Sequence, residues 1–147
     1  MRHDSIDPGR YPFPESGPSV EGICVQDRMS RPAVTIPARG SIDRALRLMA
    51  HCRIHYLPVV DDQAQLVGIV NADDLHGTRR GHRPSTDAVE AVMSAPVVIV
   101  GPRVFLKDAM RMMAERGVGA LPVLDEGRIV GVLTQSDVVV ALAREAR

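Results

Sequence analysis

A chain of 147 residues, 45% apolar, is long enough to bury a core, and its 18 basic and 18 acidic side chains leave a net charge of zero. That balance excludes an overall field able to hold nucleic acid or an anionic membrane, and the few aromatics (Tyr11, Phe13, Tyr56, Phe105) argue against a stacking platform for single strands. With no signal-peptide pattern, no apolar run near roughly 18 residues, and Cys24 and Cys52 at unmatched places, the chain reads as reduced, cytosolic, and either one domain or two small units sharing a core.

Residues 1–21 are proline-rich, match nothing later, and read as a flexible arm. Pro32-Ala-Val-Thr-Ile36, β-branched and bounded by proline, predicts a strand or extended segment. Ile42, Ala45, Leu46, Met49 and Ala50 recur at helical spacing behind Ser41, a suitable N-cap. Leu57-Pro-Val-Val60 and Leu66-Val-Gly-Ile-Val70 flank Asp61-Asp-Gln-Ala-Gln65 and predict a hairpin, with a second helix after Asp74. The polar stretch 78–86, with Arg79, Arg80, His82 and Arg83, reads as a solvated linker. Asp87 and Glu90 form a capping-box pattern for a short helix up to Met93. Then come Pro96-Val-Val-Ile-Val100, a helix carrying Leu106, Ala109, Met110 and Met113, and a tighter hairpin from Leu121-Pro-Val-Leu124 to Arg128-Ile-Val-Gly-Val-Leu133. The run from Val138 ends in Ala, Leu, Arg and Glu, which favours a final helix after Asp137.

The second half repeats the first. Shifted by 64 residues, Val25–Asp61 lies on Val89–Asp125; with one residue dropped near Ala64 the match runs on to Leu75 over Val138, and 17 of the 50 aligned pairs are identical. Two copies are too few for a solenoid, which needs roughly three or more stacked repeats. Each copy reads β-α-β-β-α. A lone three-stranded sheet with helices on one face leaves apolar surface bare, so the copies are expected to cover each other as a pseudo-two-fold pair, giving a mixed α/β (α+β) fold.

The ordered set Met-Ser-x-Pro, helix, Leu-Pro-Val-h-Asp and Gly-h-h-Thr-x-Ser-Asp, occurring twice at constant spacing from Val25 to about Ala143 with its last motif changed at Asn71 and Asp73 in the first copy, resembles the cystathionine β-synthase (CBS) domain. The tandem resembles a Bateman module. The resemblance implies CBS units at 22–77 and 87–147, flanking a linker at 78–86 and preceded by the arm at 1–21, standing alone with no attached enzyme, channel or transporter. It implies a non-catalytic regulatory role in the cytoplasm and an adenine nucleotide (AMP, ADP or ATP) or S-adenosylmethionine bound between the units. It also implies a homodimer acting on an unknown downstream protein. Carried over by position, one cleft joins Thr134, Gln135, Ser136 and Asp137 to Val34, His55 and Tyr56. The other joins Asn71, Asp73 and Asp74 to Val98, Gly119 and Ala120.

The chemistry of these positions favours the first cleft. Gly131–Asp137 runs from a strand into a helix start, whose amides and positive end suit a phosphate, and Thr134 and Ser136 add hydroxyl donors. The Asp137 carboxylate offers two oxygens to the vicinal hydroxyls of a ribose. In the other copy Asn71 and Asp73 replace hydroxyl residues, and an added carboxylate beside a phosphate costs on the order of 1 kcal/mol at short range. His55 can donate to a phosphate; Tyr56 either stacks on the base or fills part of the pocket. The plainer alternative is that Ser136 and Asp137 only cap a helix.

Other features read as structural. Met49, Met110, Met112 and Met113 fall at helical spacing and read as core filler. His51, His55, His76 and His82 lack metal-ligand spacing, and His3 lies in the arm. There is no nucleophile–base arrangement, P-loop or dinucleotide fingerprint, so no catalysis, metal or resident cofactor is expected. Two rival readings stand beside the sensing module. One is an interaction or structural protein that dimerises with degenerate clefts; the other is a nucleic-acid contact through the Arg79–Arg83 linker, which salt-sensitive retention would reveal.

Overall fold

The computed structural model describes residues 20–78 and 86–145. The arm up to residue 19 and linker residues 79–85, with the roles considered for Arg79–Arg83, lie outside the described residues. In chain order the elements are β1 (Ile36–Pro37), α1 (Ile42–Cys52), β2 (Tyr56–Val60), β3 (Leu66–Asn71), α2 (Ala72–Thr78), α3 (Leu106–Arg116), β4 (Ala120–Asp125), β5 (Arg128–Thr134) and α4 (Gln135–Glu145). Short 3-10 turns stand at Val25–Asp27 and Val89–Ala91. The fold is thus mixed α/β, with a three-stranded and a two-stranded sheet among the described residues.

The chain forms two compact units, and they are cut differently from the sequence repeats. Ala33–Val98 makes one; the segment up to Pro32 joins Ile99–Arg147 to make the other.

In the unit Ala33–Val98, β1 lies parallel to β2 and β2 antiparallel to β3. Ser41 caps α1 as expected, its Oγ accepting from the Arg44 amide at 3.0 Å. The 3.6-residue spacing places Ile42, Ala45, Leu46 and Met49 on one buried face. The helix stops where Arg53 turns left-handed (φ 57°). The hairpin turns through a three-residue loop: Ala64 N–H donates to the Asp61 carbonyl at 3.0 Å, and Ala64 itself is left-handed (φ 63°). Asp61 Oδ1 holds that loop by accepting from the amides of Gln63 and Gln65, both at 2.9 Å. The core joins Ile36, Ile42, Met49, Leu57, Val59, Val70 and Leu75 with Val89, which comes from the start of the second repeat.

The other unit uses the same rules at the matching positions. Gly117 (φ 64°) ends α3 where Arg53 ended α1. The β4–β5 loop is two residues, Glu126 and Gly127, both at positive φ, which is the tight turn a right-twisted hairpin prefers. The one-residue gap between the repeats is this change of loop. Leu106, Met113, Leu121, Val123, Leu133 and Val138 are buried at the counterparts of the first unit's core, together with Val25 from the start of the first repeat. Met49, Met110 and Met113 are buried as expected, with Met112 half-buried.

Three local expectations are corrected. Of Pro32–Ile36, only Ile36, continued by Pro37, reaches register with β2, and Pro96–Val100 contributes a single parallel bridge, Val100 to Val123. Asp87 and Glu90 do not box a helix. The Asp87 carbonyl accepts from the Ile42 amide at 2.8 Å and Ala88 bridges Ser41, so the backbone there is extended; only a 3-10 turn follows, its N-cap position at Ala88. Finally, α2 and α4 begin at Ala72 and Gln135, so Asp74 and Asp137 lie inside the first helical turn, one turn after their caps.

The Met-Ser-x-Pro segments have a clear packing role. Ser30 exchanges backbone hydrogen bonds with Val132 (2.9 and 3.0 Å), and Ser94 with Ile69 (2.9 and 3.1 Å). A Cβ on Gly131 would lie 2.6 Å from Met29 Sδ and 2.8 Å from the Ser30 carbonyl oxygen; one on Gly68 would lie 2.3 Å from Met93 Sδ. Each hairpin glycine is therefore the seat of a methionine from the other repeat.

Candidate functional site

The α4 junction is built from three residues. β5 ends at Thr134, whose partner across the ladder is Ala120. Thr134 Oγ1 accepts from the Asp137 amide at 3.2 Å, and Asp137 Oδ2 accepts from the Thr134 amide at 2.9 Å, a reciprocal helix cap. The Gln135 amide donates to the Gly119 carbonyl at 3.1 Å. The amides of Thr134, Gln135 and Asp137, expected to face an anion, are thus already used by the fold. What the junction offers outward is chiefly side chain: the Asp137 carboxylate, the Thr134 hydroxyl proton, and the exposed Ser136 and Gln135. Asp137 has a further partner that the sequence did not suggest. Ser30 Oγ lies 3.0 Å from Oδ1 and 3.2 Å from Oδ2.

The α2 junction, in the other unit, is closed by a different pair. Tyr56 pairs with Asn71 across the β2–β3 ladder, and the Ala72 amide donates to the His55 carbonyl at 2.8 Å. Asn71 Oδ1 accepts from the Asp74 amide at 2.8 Å, while Asn71 Nδ2 donates to Asp74 Oδ2 at 3.1 Å. Both ends of the Asn71 amide are turned onto Asp74. Asp73 and Asp74 are exposed and sit together in the first turn, where the helix dipole favours their negative charge.

Each unit thus brings together a junction expected for one cleft and neighbours expected for the other. Thr134 and Gln135 adjoin Gly119 and Ala120; Asn71 and Ala72 adjoin His55 and Tyr56. Val34 and Val98 are half-buried and outside the named strands. His55 also lines an open groove of about 540 Å³ along α1 and the start of α2, with Leu46, Ala50, Ile54, Ala72 and His76. Asp43, which rims this groove, pairs with Arg47 one helical turn on. Arg103, whose pKa is raised by its hydrogen bond and charge pairing to Asp125 at 3.1 Å, lies at the far end of the β4–β5 hairpin from Thr134. Among the described residues no group of three His, Cys, Asp or Glu side chains could hold a metal ion, and no helix is long and apolar enough to cross a membrane.

Two repeats, each ending its hairpin in a strand–helix junction that carries a carboxylate, define a class of tandem α/β module. A family model described as the CBS domain matches residues 22–78 and 89–144, and the chain belongs to that family as a tandem pair. It is 26% identical over 121 residues to the uncharacterized protein MJ1225 of Methanocaldococcus jannaschii, covering 82% of this chain. Among solved structures it is similar to CBSX2 in complex with AMP (29% identity, TM-score 0.71, 86% of this chain and 100% of that one). It is also similar to the CBS domain pair of protein MJ0100 in complex with 5′-methylthioadenosine and S-adenosyl-L-methionine (25% identity, TM-score 0.72, 80% and 98%). The chain spans 43% of the length of MJ1225, and 23% of the homoserine O-acetyltransferases of Methanohalobium evestigatum and Methanosphaera stadtmanae that it matches.

Proposed function

We propose that this CBS pair is a non-catalytic sensing module of the cytoplasm that binds an adenine nucleotide or S-adenosylmethionine and reports its occupancy to a downstream protein as a homodimer. The observation that carries the reading is the α4 junction: a carboxylate held by the Thr134 amide, beside the hydroxyls of Thr134 and Ser136, in a chain whose structural relatives include complexes with AMP and with S-adenosyl-L-methionine. Asp137 takes the ribose hydroxyls, and Thr134, Gln135 and Ser136 face the phosphate or its equivalent. Val34, His55 and Tyr56 serve the base side. The site built on Asn71, Asp73 and Asp74 with Val98, Gly119 and Ala120 is the weaker one, because Asn71 is spent on Asp74 and Asp73 repels an anion.

Thermal unfolding with AMP, ADP, ATP, S-adenosylmethionine and GMP tests the reading. A ligand at a hundredfold excess over its Kd stabilises the folded state by about 2.7 kcal/mol, which raises Tm by roughly 5–10 °C in a chain of this size. Adenine compounds are expected to give such a shift and guanine compounds a smaller one; no shift with any adenine compound at millimolar concentration rules the reading out. One observation favours a second reading, a structural dimer with degenerate clefts: the Thr134–Asp137 cap is complete without a ligand. That reading expects no shift from any nucleotide.

A further inference from the structure

Ser30 Oγ faces the fork of the Asp137 carboxylate. An atom 3.0 and 3.2 Å from the two oxygens of one carboxylate lies in front of its fork, within the space that the two hydroxyls of a vicinal diol would need to reach those oxygens. Ser30 has one hydroxyl proton, which it divides between the two oxygens, while Oδ2 also accepts the Thr134 amide. The Ser30 backbone is fixed in both directions to Val132, so its side chain can leave the fork only by turning about χ1 to another staggered position. Ser30 is exposed.

From this geometry we infer that Ser30 is an internal competitor of the ligand: it occupies the Asp137 carboxylate in the empty protein and must turn aside when ribose hydroxyls arrive. The inference rests on the ribose role proposed for Asp137 and adds a regulation of that site. The latch gives Oδ1 a partner beside the Thr134 amide already held by Oδ2, and it sets the affinity below what the junction could reach. It also belongs to one junction only. The identical residue of the other repeat, Ser94, has the same two backbone bonds, but there Asp74 takes its side-chain hydrogen bond from Asn71.

Titration calorimetry on the full chain with AMP and 2′-deoxy-AMP tests this, using the wild type, Ser30→Ala, Ser30→Thr and Ser94→Ala. Ser30→Ala is expected to bind AMP about three- to tenfold more tightly, the worth of one hydrogen bond that no longer has to be broken. Its gain for 2′-deoxy-AMP is smaller, since a single hydroxyl can share the carboxylate with Ser30. Ser30→Thr keeps the hydroxyl and the wild-type affinity; Ser94→Ala changes nothing. A thermal melt of each variant confirms that the fold is intact. Unchanged or weaker AMP binding by Ser30→Ala, with the wild type binding normally, overturns the latch and leaves the sensing function standing. Silence of every protein toward AMP overturns both.

Discussion

Asp137 and Asp74 occupy the same place in the two repeats, yet their surroundings prepare them for different work. Asp137 carries the Thr134 amide and the Ser30 hydroxyl, and its neighbours Thr134 and Ser136 can donate to an anion. Asp74 is engaged by Asn71 and follows Asp73, whose charge opposes a phosphate. Asp137→Ala is therefore expected to weaken AMP binding about thirtyfold, roughly 2 kcal/mol for a lost bidentate contact, and to lower stability by about 1 kcal/mol through the lost cap. Asp74→Ala should change the affinity by much less. Calorimetry on both variants decides, and equal losses would show that the two junctions are equivalent ligand sites. The junction residues were legible because Gly-h-h-Thr-x-Ser-Asp is a local run. Ser30 was not, because its partner lies 107 residues away in sequence, and nothing in Met-Ser-x-Pro names a carboxylate.

At the scale of elements, local chemistry placed the helices and hairpins well. Ser41 starts α1, and the difference between Asp61–Gln65 and Asp125-Glu-Gly127 became a three-residue loop against a two-residue one. The first strands were overread, since β-branched composition marks an extended chain but only a ladder partner makes it a strand, and β2 offers register to Ile36 and Pro37 alone. The docking of each Met-Ser segment on a hairpin gives a prediction of its own. At Gly131 an added methyl meets both a flexible Met29 side chain and the Ser30 carbonyl, which is pinned by the Val132 amide; at Gly68 the three atoms nearest to it all belong to the side chain of Met93. Gly131→Ala is expected to cost about 1–3 kcal/mol as overpacking against fixed backbone, or roughly 2–10 °C in Tm. Gly68→Ala, relieved by rotation of Met93, should cost less. Thermal melts of the two variants showing the reverse order would contradict this packing.

For the whole molecule, the duplication was plain in the sequence, but the division into compact units was not. Repeat aligns with repeat whichever hairpin each opening segment docks on. Met29 on Gly131 and Met29 on Gly68 would leave the same pattern of identical residues, so only the fold distinguishes them. The surface also carries the assembly proposal. Val139 and Val140 on α4 are 62% and 47% exposed, side chains that a monomer gains nothing by presenting to water. A homodimer that covers them is expected, twofold symmetry being the commonest closed arrangement. Sedimentation at micromolar concentration should give about twice the 16.0 kDa of the chain, and a single species at 16.0 kDa would rule the dimer out.

The exchange of opening segments fixes what a single repeat can be. Residues 22–78 on their own hold Val25 and Met29 without the hairpin they dock on, and Ile42, Met49 and Leu57 without the Val89 that completes their core. A lone copy would close both deficits either by folding that segment onto its own hairpin or by trading it with a second molecule of itself. In this chain each opening segment completes the core of the other repeat's hairpin, so a cut between the two repeats severs both compact units at once.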